Sequence, residues 1–321
     1  MTLRIGIIGC GQMGHRRAEG VRPGPDVITH VFDPDQERAA WLAETAGGRC
    51  TATAGELITQ VDAVVVATPN AFLSPYAEMS LERGRPVLVE KPGAADSATM
   101  RRLTAYAAAR GVPFQVGYSL VHYEAVREFM RATAGIGELA GLRGSYGHGG
   151  RPGMGREWRA DPRLSGGGEL LDQGVHLIHL ALLLLGPVTR VRAQISSEVW
   201  GLPVEDTAAL LLDHERGSAV LSVSWCFWKN EFRLDVTGTH GSVHLDGLGG
   251  SYGESRLTAR KRHADRPGPP DSREVEISAR NTWESEWACF SQLVRDGGAG
   301  NGELAASVLQ VVEAARADAV R

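Results

Sequence analysis

Along the first 120 residues, short apolar runs alternate with longer segments in which apolar positions recur every three or four residues. Residues 3–8 (LRIGII), 27–32 (VITHVF), 62–68 (DAVVVAT), 86–92 (PVLVEKP) and 113–119 (PFQVGYS) are such runs, bounded by Gly, Pro, Asn or Asp. Near-continuous apolar runs of this length predict strands buried on both faces. Between them, the stretch carrying His15, Arg16, Arg17 and Ala18, and residues 36–47, 74–84 and 98–111, have helical periodicity. Strand–helix alternation at this spacing predicts a doubly wound parallel sheet.

Beyond residue 120 the rhythm changes. A helix near 124–131, a strand near 141–146 and a glycine-rich loop over 147–168 lead into GGGELLDQGVHLIH (166–179). Short alternating runs follow, VTRVRAQIS, TAALLLD, SAVLSVSW, FRLDVTG and GSVHLDG, which predict an open, mostly antiparallel sheet. Residues 262–273 read as a proline-rich surface loop, and helices at 283–295 and 302–319 close the chain. The expected architecture is α/β with two domains, 1–120 and 121–321.

With 321 residues, 43% of them hydrophobic, the chain can fill two cores. A formal net charge of -4 supplies no basic face for nucleic acid. The longest apolar run, 180–185, falls short of the roughly 20 residues of a membrane span. The glycine-broken N-terminus reads as a strand, not a signal peptide. Cys10, Cys50, Cys226 and Cys289 are scattered, as in a protein with reduced thiols; the expectation is a soluble cytoplasmic protein. Of 34 basic residues only Lys91, Lys229 and Lys261 are lysines, which draws attention to positions where a compact, tunable cation is retained.

GCGQMG (9–14) follows the first strand and opens a helix, and Asp33 lies about 20 residues on, at the end of the second. In that context Gly9 allows the tight turn, Gly11 the approach of a pyrophosphate, and Gly14 close helix packing, with Gln12 and Met13 between them. The helix N-terminus offers free N–H groups to phosphate. Asp33 suits the ribose hydroxyls of NAD and repels a 2′-phosphate. At the other end, Asp172, His176 and His179 fall at i, i+4 and i+7 of a helix. Three readings compete there: an acid/base pair, a metal-binding seam in a hydrolase, and a mutually satisfied buried pair. The metal reading lacks a fourth ligand and leaves the nucleotide motif without a role.

Taken together, GIIGCGQMG, ATPN (67–70), EKP (90–92) and WRADPRLSGGGELLDQGVHLIH (158–179) resemble the Gfo/Idh/MocA oxidoreductases, over nearly the whole chain. The resemblance implies an NAD-binding Rossmann domain and a second domain whose open sheet forms a dimer or tetramer. It implies that Lys91, Asp172 and His176 are catalytic and that the Lys91-Pro92 bond is cis. By the same resemblance Thr68, Pro69, Asn70, Glu90, Trp158 and Arg159 belong to the cofactor site. Tyr118, His122, Tyr123 and His179 are candidates for contact with a carbohydrate-like substrate. Imidazole suits the general base for a secondary alcohol, and an ammonium the developing alkoxide. Segments 228–232 (WKNEF) and 249–258 (GGSYGESRLT) look like a branch of the family acting on nucleotide sugars and aminosugars. Leu73, Ser119, Val121, Glu124 and His179 depart from the common pattern: Leu73 affects packing beside the cofactor, the others face the substrate side, and the neutral Val121 with the added Glu124 suits a neutral or amine-bearing sugar. Retained NAD recycled in place, and a nucleotide-binding sensor without turnover, are the alternatives.

Overall fold

The computed structural model describes residues 1–263 and 265–320, and within them the chain forms two compact units. The first takes residues 1–119 together with 163–166 and 281–306; the second takes 120–162, 167–280 and 307 onward. The C-terminal part of the sequence therefore contributes to the first unit as well.

In the first unit the five expected strands form, as β1 (Arg4–Ile8), β2 (Val27–Phe32), β4 (Ala63–Val66), β5 (Val87–Glu90) and β6 (Phe114–Gly117). They are joined by β3 (Arg49–Cys50), too short to leave a pattern in the sequence, in a parallel sheet of order β3-β2-β1-β4-β5-β6. The intervening helices are α1 (Gln12–Val21), α2 (Gln36–Ala46), α3 (Ala54–Gln60), α4 (Leu73–Glu82) and α5 (Ser97–Arg110). Asp35 and Asp96 cap α2 and α5 by accepting backbone N–H bonds, satisfying donors that the helix itself leaves free. Ile5, Ile7, Val31, Val65 and Leu88 form the core, with Trp287 and Phe290 of a later helix packed on them.

The second unit opens with α6 (Glu124–Thr133) and β7 (Leu139–Gly147). After the short α7 (Pro162–Ser165), three of whose four residues belong to the first unit, a single wide turn of π-helix, Leu170–Gly174, runs directly into α8 (Val175–Leu185). Strands β8 (Val188–Ser196), β9 (Thr207–His214), β10 (Ser218–Ser224), β11 (Glu231–Gly238), β12 (Gly241–Asp246), β13 (Ser255–Lys261) and β14 (Asp271–Ile277) complete an eight-stranded sheet. Its order is β14-β13-β12-β11-β7-β10-β9-β8, antiparallel except for the β7–β10 pair. Strand β14 corrects the expected loop over 262–273: residues 271–273 are in strand, and Ala264 lies outside the described residues. Almost every side chain of β14 is exposed, so it carries no apolar alternation to announce it. The helices α9 (Thr282–Asp296) and α10 (Gly302–Ala319) end the chain.

Helix α8 is apolar on all sides because it is the buried core helix of the second unit. The stretch Pro162–Leu185 is long and apolar enough to cross a membrane by composition, yet 83% of its most apolar window is buried within the fold.

Candidate active site

In the first unit the glycine loop is built by close backbone approach. Gly9 sits at φ +96, and a side chain there would meet the Ala67 carbonyl oxygen at 2.6 Å. At Gly14 a Cβ would lie 2.2 Å from the Gly9 carbonyl oxygen, so α1 starts hard against the turn. Gly11, by contrast, faces open space and caps α1 with no side chain, leaving the first N–H groups of the helix to an incoming anion. The Asp33 carboxylate accepts from Cys10 N at 2.8 Å and from Asp35 N at 2.9 Å. Its position is thus set by the loop it serves. Thr68 Oγ1, at the end of β4, is buried with no hydrogen-bond partner. An orphaned hydroxyl beside such a cradle fits a dinucleotide, whose ribose or phosphate oxygens would satisfy it. Asn70 Nδ2 donates to the Ser165 carbonyl at 2.8 Å, and Leu73 is wholly buried, so the latter acts in packing alone. The Cys10 thiol, buried and beside Asp33, is pushed up to about 12 and is chemically inert.

Strand β5 ends on Glu90, and the Lys91-Pro92 bond that follows is cis. Glu90 does not point to solvent. Its carboxylate receives Arg17 Nε at 2.6 Å, and the same guanidinium reaches Glu286 of α9 at 2.5 Å. All three side chains are buried, and the Trp283 ring lies 5.0 Å from the guanidinium. Burial pushes both carboxyls above their ordinary range, offset in part by Arg17. Burial also opposes the guanidinium charge, but Glu286 and Glu90 outweigh it and raise Arg17. Tyr118 is buried too, its phenol raised by desolvation.

In the second unit Asp172 lies within the π-turn, whose wider i→i+5 spacing replaces the regular α-helical stripe expected for Asp172, His176 and His179. Asp172 is paired with Arg159 at 3.4 Å, and Arg159 stacks 4.7 Å from the Trp158 ring. The WR segment therefore serves Asp172 within this unit. His176, in the first turn of α8, is 7% exposed and stands 6.2 Å from the Tyr146 ring of β7. His179 is lowered to about 3 by burial, with a smaller contribution from His122. It is neutral at working pH and is no acid/base group. His122 and Tyr123 are half-buried just before α6. Among the described residues no three His, Cys, Asp or Glu side chains form a metal-binding group.

Three residues near His176, namely Tyr146, Gln173 and Tyr252, are not singled out from the sequence, although Tyr252 lies within the 249–258 segment. Tyr146 packs 5.5 Å from the Tyr252 ring, and Tyr252 OH accepts from Gln173 Nε2 at 3.1 Å. Burial raises both phenols, Tyr252 to about 12, so they stay protonated.

Comparison with known proteins agrees with this arrangement. Residues 3–118 match the family described as an oxidoreductase family with NAD-binding Rossmann fold, and residues 123–244 match the GFO/IDH/MocA C-terminal domain. A dTDP-3,4-didehydro-2,6-dideoxy-alpha-D-glucose 3-reductase of Streptomyces violaceoruber is 34% identical over 314 residues, 94% of this chain and 88% of that one. The crystal structure of GenD2 from gentamicin A biosynthesis, in complex with NAD, superposes with a TM-score of 0.83 at 27% identity, covering 99% of this chain and 94% of that one. The 3-ketoreductase KijD10 from Actinomadura kijaniata, solved with NADP and TDP-benzene, shares the fold with a TM-score of 0.86 at 22% identity, over 99% and 98% of the two chains. The chain belongs to the Gfo/Idh/MocA family of oxidoreductases, with an NAD-binding Rossmann domain followed by the family's C-terminal domain.

Proposed function

We propose that the protein is an NAD-dependent oxidoreductase acting on a secondary alcohol or the corresponding ketone of a sugar, aminosugar or cyclitol. The observation that carries the cofactor part is the Asp33 carboxylate, held by the backbone N–H of Cys10 in the glycine loop and by that of Asp35. It is set to accept ribose hydroxyls and to repel a 2′-phosphate. Gly9, Gly11, Gln12, Met13, Gly14, Thr68, Pro69 and Asn70 supply the remainder of the cradle. The sugar-reductase relative and the NAD complex of GenD2 support the assignment of substrate class and cofactor.

The bound nicotinamide supplies a hydride acceptor for oxidation and a hydride donor for reduction. In oxidation His176 takes the hydroxyl proton as the C–H bond breaks, and in reduction it returns a proton to the alkoxide. Lys91 stabilises the negative charge that develops on that oxygen. Asp172, anchored by Arg159, orients the substrate hydroxyl, and the protonated Tyr146 and Tyr252 form neutral walls beside the imidazole. A homo-oligomer built on the open sheet is supported by Leu211 and Val220, cross-strand neighbours of β9 and β10 that are both exposed.

The test is NADH formation from NAD with a panel of sugars, aminosugars, inositols and nucleotide sugars. One class should give turnover that falls by at least about 100-fold in His176→Asn and in Lys91→Met. Turnover that persists in both variants, or NADP used as readily as NAD, would refute the reading.

A further inference from the structure

Gln173 stands between Asp172 and Gly174 in the π-turn of the second unit and is 8% exposed. Its Nε2 donates to Tyr252 OH at 3.1 Å. Its carbonyl Oε1 is buried and accepts from no donor among the described residues. A buried carbonyl without a donor lowers stability, so a fold that keeps one beside a reactive imidazole calls for an explanation. Single wide turns of this kind inside a helix recur at functional sites, where they re-aim side chains.

The sheet register places Gln173 on the same face as His176. Tyr146 pairs with Val223 of β10, and a Cβ on Gly174 would lie 3.5 Å from Val223 Cγ2, so Val223 points towards the π-turn. Side chains alternate along a strand, which sends Val220, three residues away and half exposed, to the opposite, open face. From Gln173 the contacts run through Tyr252, whose ring lies 5.5 Å from that of Tyr146, to His176, 6.2 Å beyond it. Tyr252 is itself fixed. It ends the turn Gly250–Tyr252, where Gly249 N donates to the Gly253 carbonyl at 2.7 Å, and Asn230 Nδ2 donates to the adjacent Ser251 Oγ at 2.7 Å. An amide presents its N–H groups and its carbonyl in different directions, so a hydroxyl that holds Nε2 also fixes where Oε1 points.

We propose that Gln173 is a specificity-determining residue, whose carbonyl accepts a hydrogen bond from a hydroxyl or amino group on a ring carbon near the one oxidised or reduced, and that Tyr252 is the positioning residue that aims it. The inference rests on the sugar-oxidoreductase reading above. A carbonyl has no proton to give, so its complement is an O–H or N–H donor. A ring with only hydrogen at that carbon leaves Oε1 buried and unmet in the complex, the circumstance in which a site discriminates most strongly. The substrate is therefore hydroxylated or aminated at that carbon, and its deoxy counterpart is rejected.

NADH formation from NAD by the full chain tests this. The probes are D-glucose, D-glucosamine and myo-inositol, beside the monodeoxy analogues of D-glucose and myo-inositol. For a probe that is turned over, loss of one particular hydroxyl should lower kcat/KM at least about tenfold. Gln173→Leu should bring that ratio to within about threefold of unity, because the carbonyl that reads the hydroxyl is gone. Tyr252→Phe keeps the ring and frees the amide, so it should also reduce the ratio. A merely structural role would lower kcat/KM for both members of the pair alike and leave their ratio unmoved. Circular dichroism and retained NAD affinity report an intact fold in each variant. A ratio unchanged in both variants, or no deoxy analogue distinguished by the unaltered chain, overturns the specificity role and leaves the oxidoreductase reading standing. Turnover of none of the probes by the unaltered chain, with NAD bound, overturns both.

Discussion

Replacing Arg17 with methionine keeps most of the side-chain volume and removes the single cation between Glu90 and Glu286. The two carboxyls are 6% and 1% exposed, and the guanidinium bonds both at 2.5–2.6 Å. Removing one partner from a buried ion pair leaves an uncompensated charge and costs about 3–5 kcal/mol. Here two carboxylates lose the same partner, so the cost at neutral pH should reach the upper part of that range. The carboxyls can escape by taking up protons. Their folded-state pKa values are already raised by burial, and without Arg17 they rise further. A raised carboxyl binds its proton in the folded state at pH values where the unfolded chain has lost it. Its stabilising contribution is full below the unfolded carboxylate value and is lost as pH rises through the folded one.

Arg17→Met should therefore be strongly destabilised at pH 8 and substantially rescued at pH 5, the reverse of a simple loss of packing. Urea unfolding at the two pH values measures the cost, and hydrogen exchange of the α1 and α9 amides reports the first unit separately. Adding Glu90→Gln and Glu286→Gln to Arg17→Met should recover most of the loss at pH 8. A cost below about 1 kcal/mol at pH 8, or an equal cost at pH 5 and pH 8, would refute the reasoning.

Three further outcomes are expected. Asp33→Ser should weaken NAD binding by about 10- to 100-fold, the equivalent of one or two hydrogen bonds to a charged group, and should improve the use of NADP relative to NAD, because Arg38, now paired with Asp35 at 3.1 Å, remains close by; unchanged NAD/NADP selectivity in steady-state kinetics would count against Asp33 as the discriminating group. His179 is lowered to about 3, so the unfolded chain binds its proton first and stability declines as pH falls from about 6.5 towards 3. His179→Gln should flatten the acid limb of the stability profile, whose slope for one proton approaches about 1.4 kcal/mol per pH unit; an unaltered slope would refute it. Leu211→Asp together with Val220→Asp should dissociate an oligomer built on the open sheet, shifting the mass seen by light scattering while the circular dichroism stays that of the folded chain; an unshifted mass would place the interface elsewhere.

What could be read from the sequence follows the range of the interactions involved. Strands β1, β2, β4, β5 and β6 announced themselves because each is a local apolar run, and the glycine loop because its spacing is fixed within six residues. The helix carrying Asp172 and His176 was visible, but its π-turn was not: a residue spacing assumes a pitch, and the sequence pattern assumed the α-helical one. Strand β14 escaped because an exposed edge strand needs no apolar alternation. Tyr252 and Gln173 meet across 79 residues, and no spacing rule reaches that far.

The Arg17 cluster shows a signal that was available and unused. On α9, Glu286, Phe290 and Leu293 fall on one helical face, which the apolar pattern marks as buried. On α1, Arg17 shares the buried face of Gly14, Ala18 and Val21. A lone charge on a buried face is costly unless it is paired. Two such charges of opposite sign, on helices of one unit, satisfy each other. Glu90 sharpens the point. It ends a strand whose other residues are apolar, and its burial requires the charged partner that Arg17 supplies, whatever part it takes in the cofactor site that the family resemblance implies. The same test applied to α8 separates its two histidines: His176 follows Asp172 by four residues, while the buried His179 is held neutral by desolvation. Residues that break the apolar pattern thus separate into those that must find a counter-charge and those that must stay neutral, and that distinction can be drawn from side-chain chemistry alone.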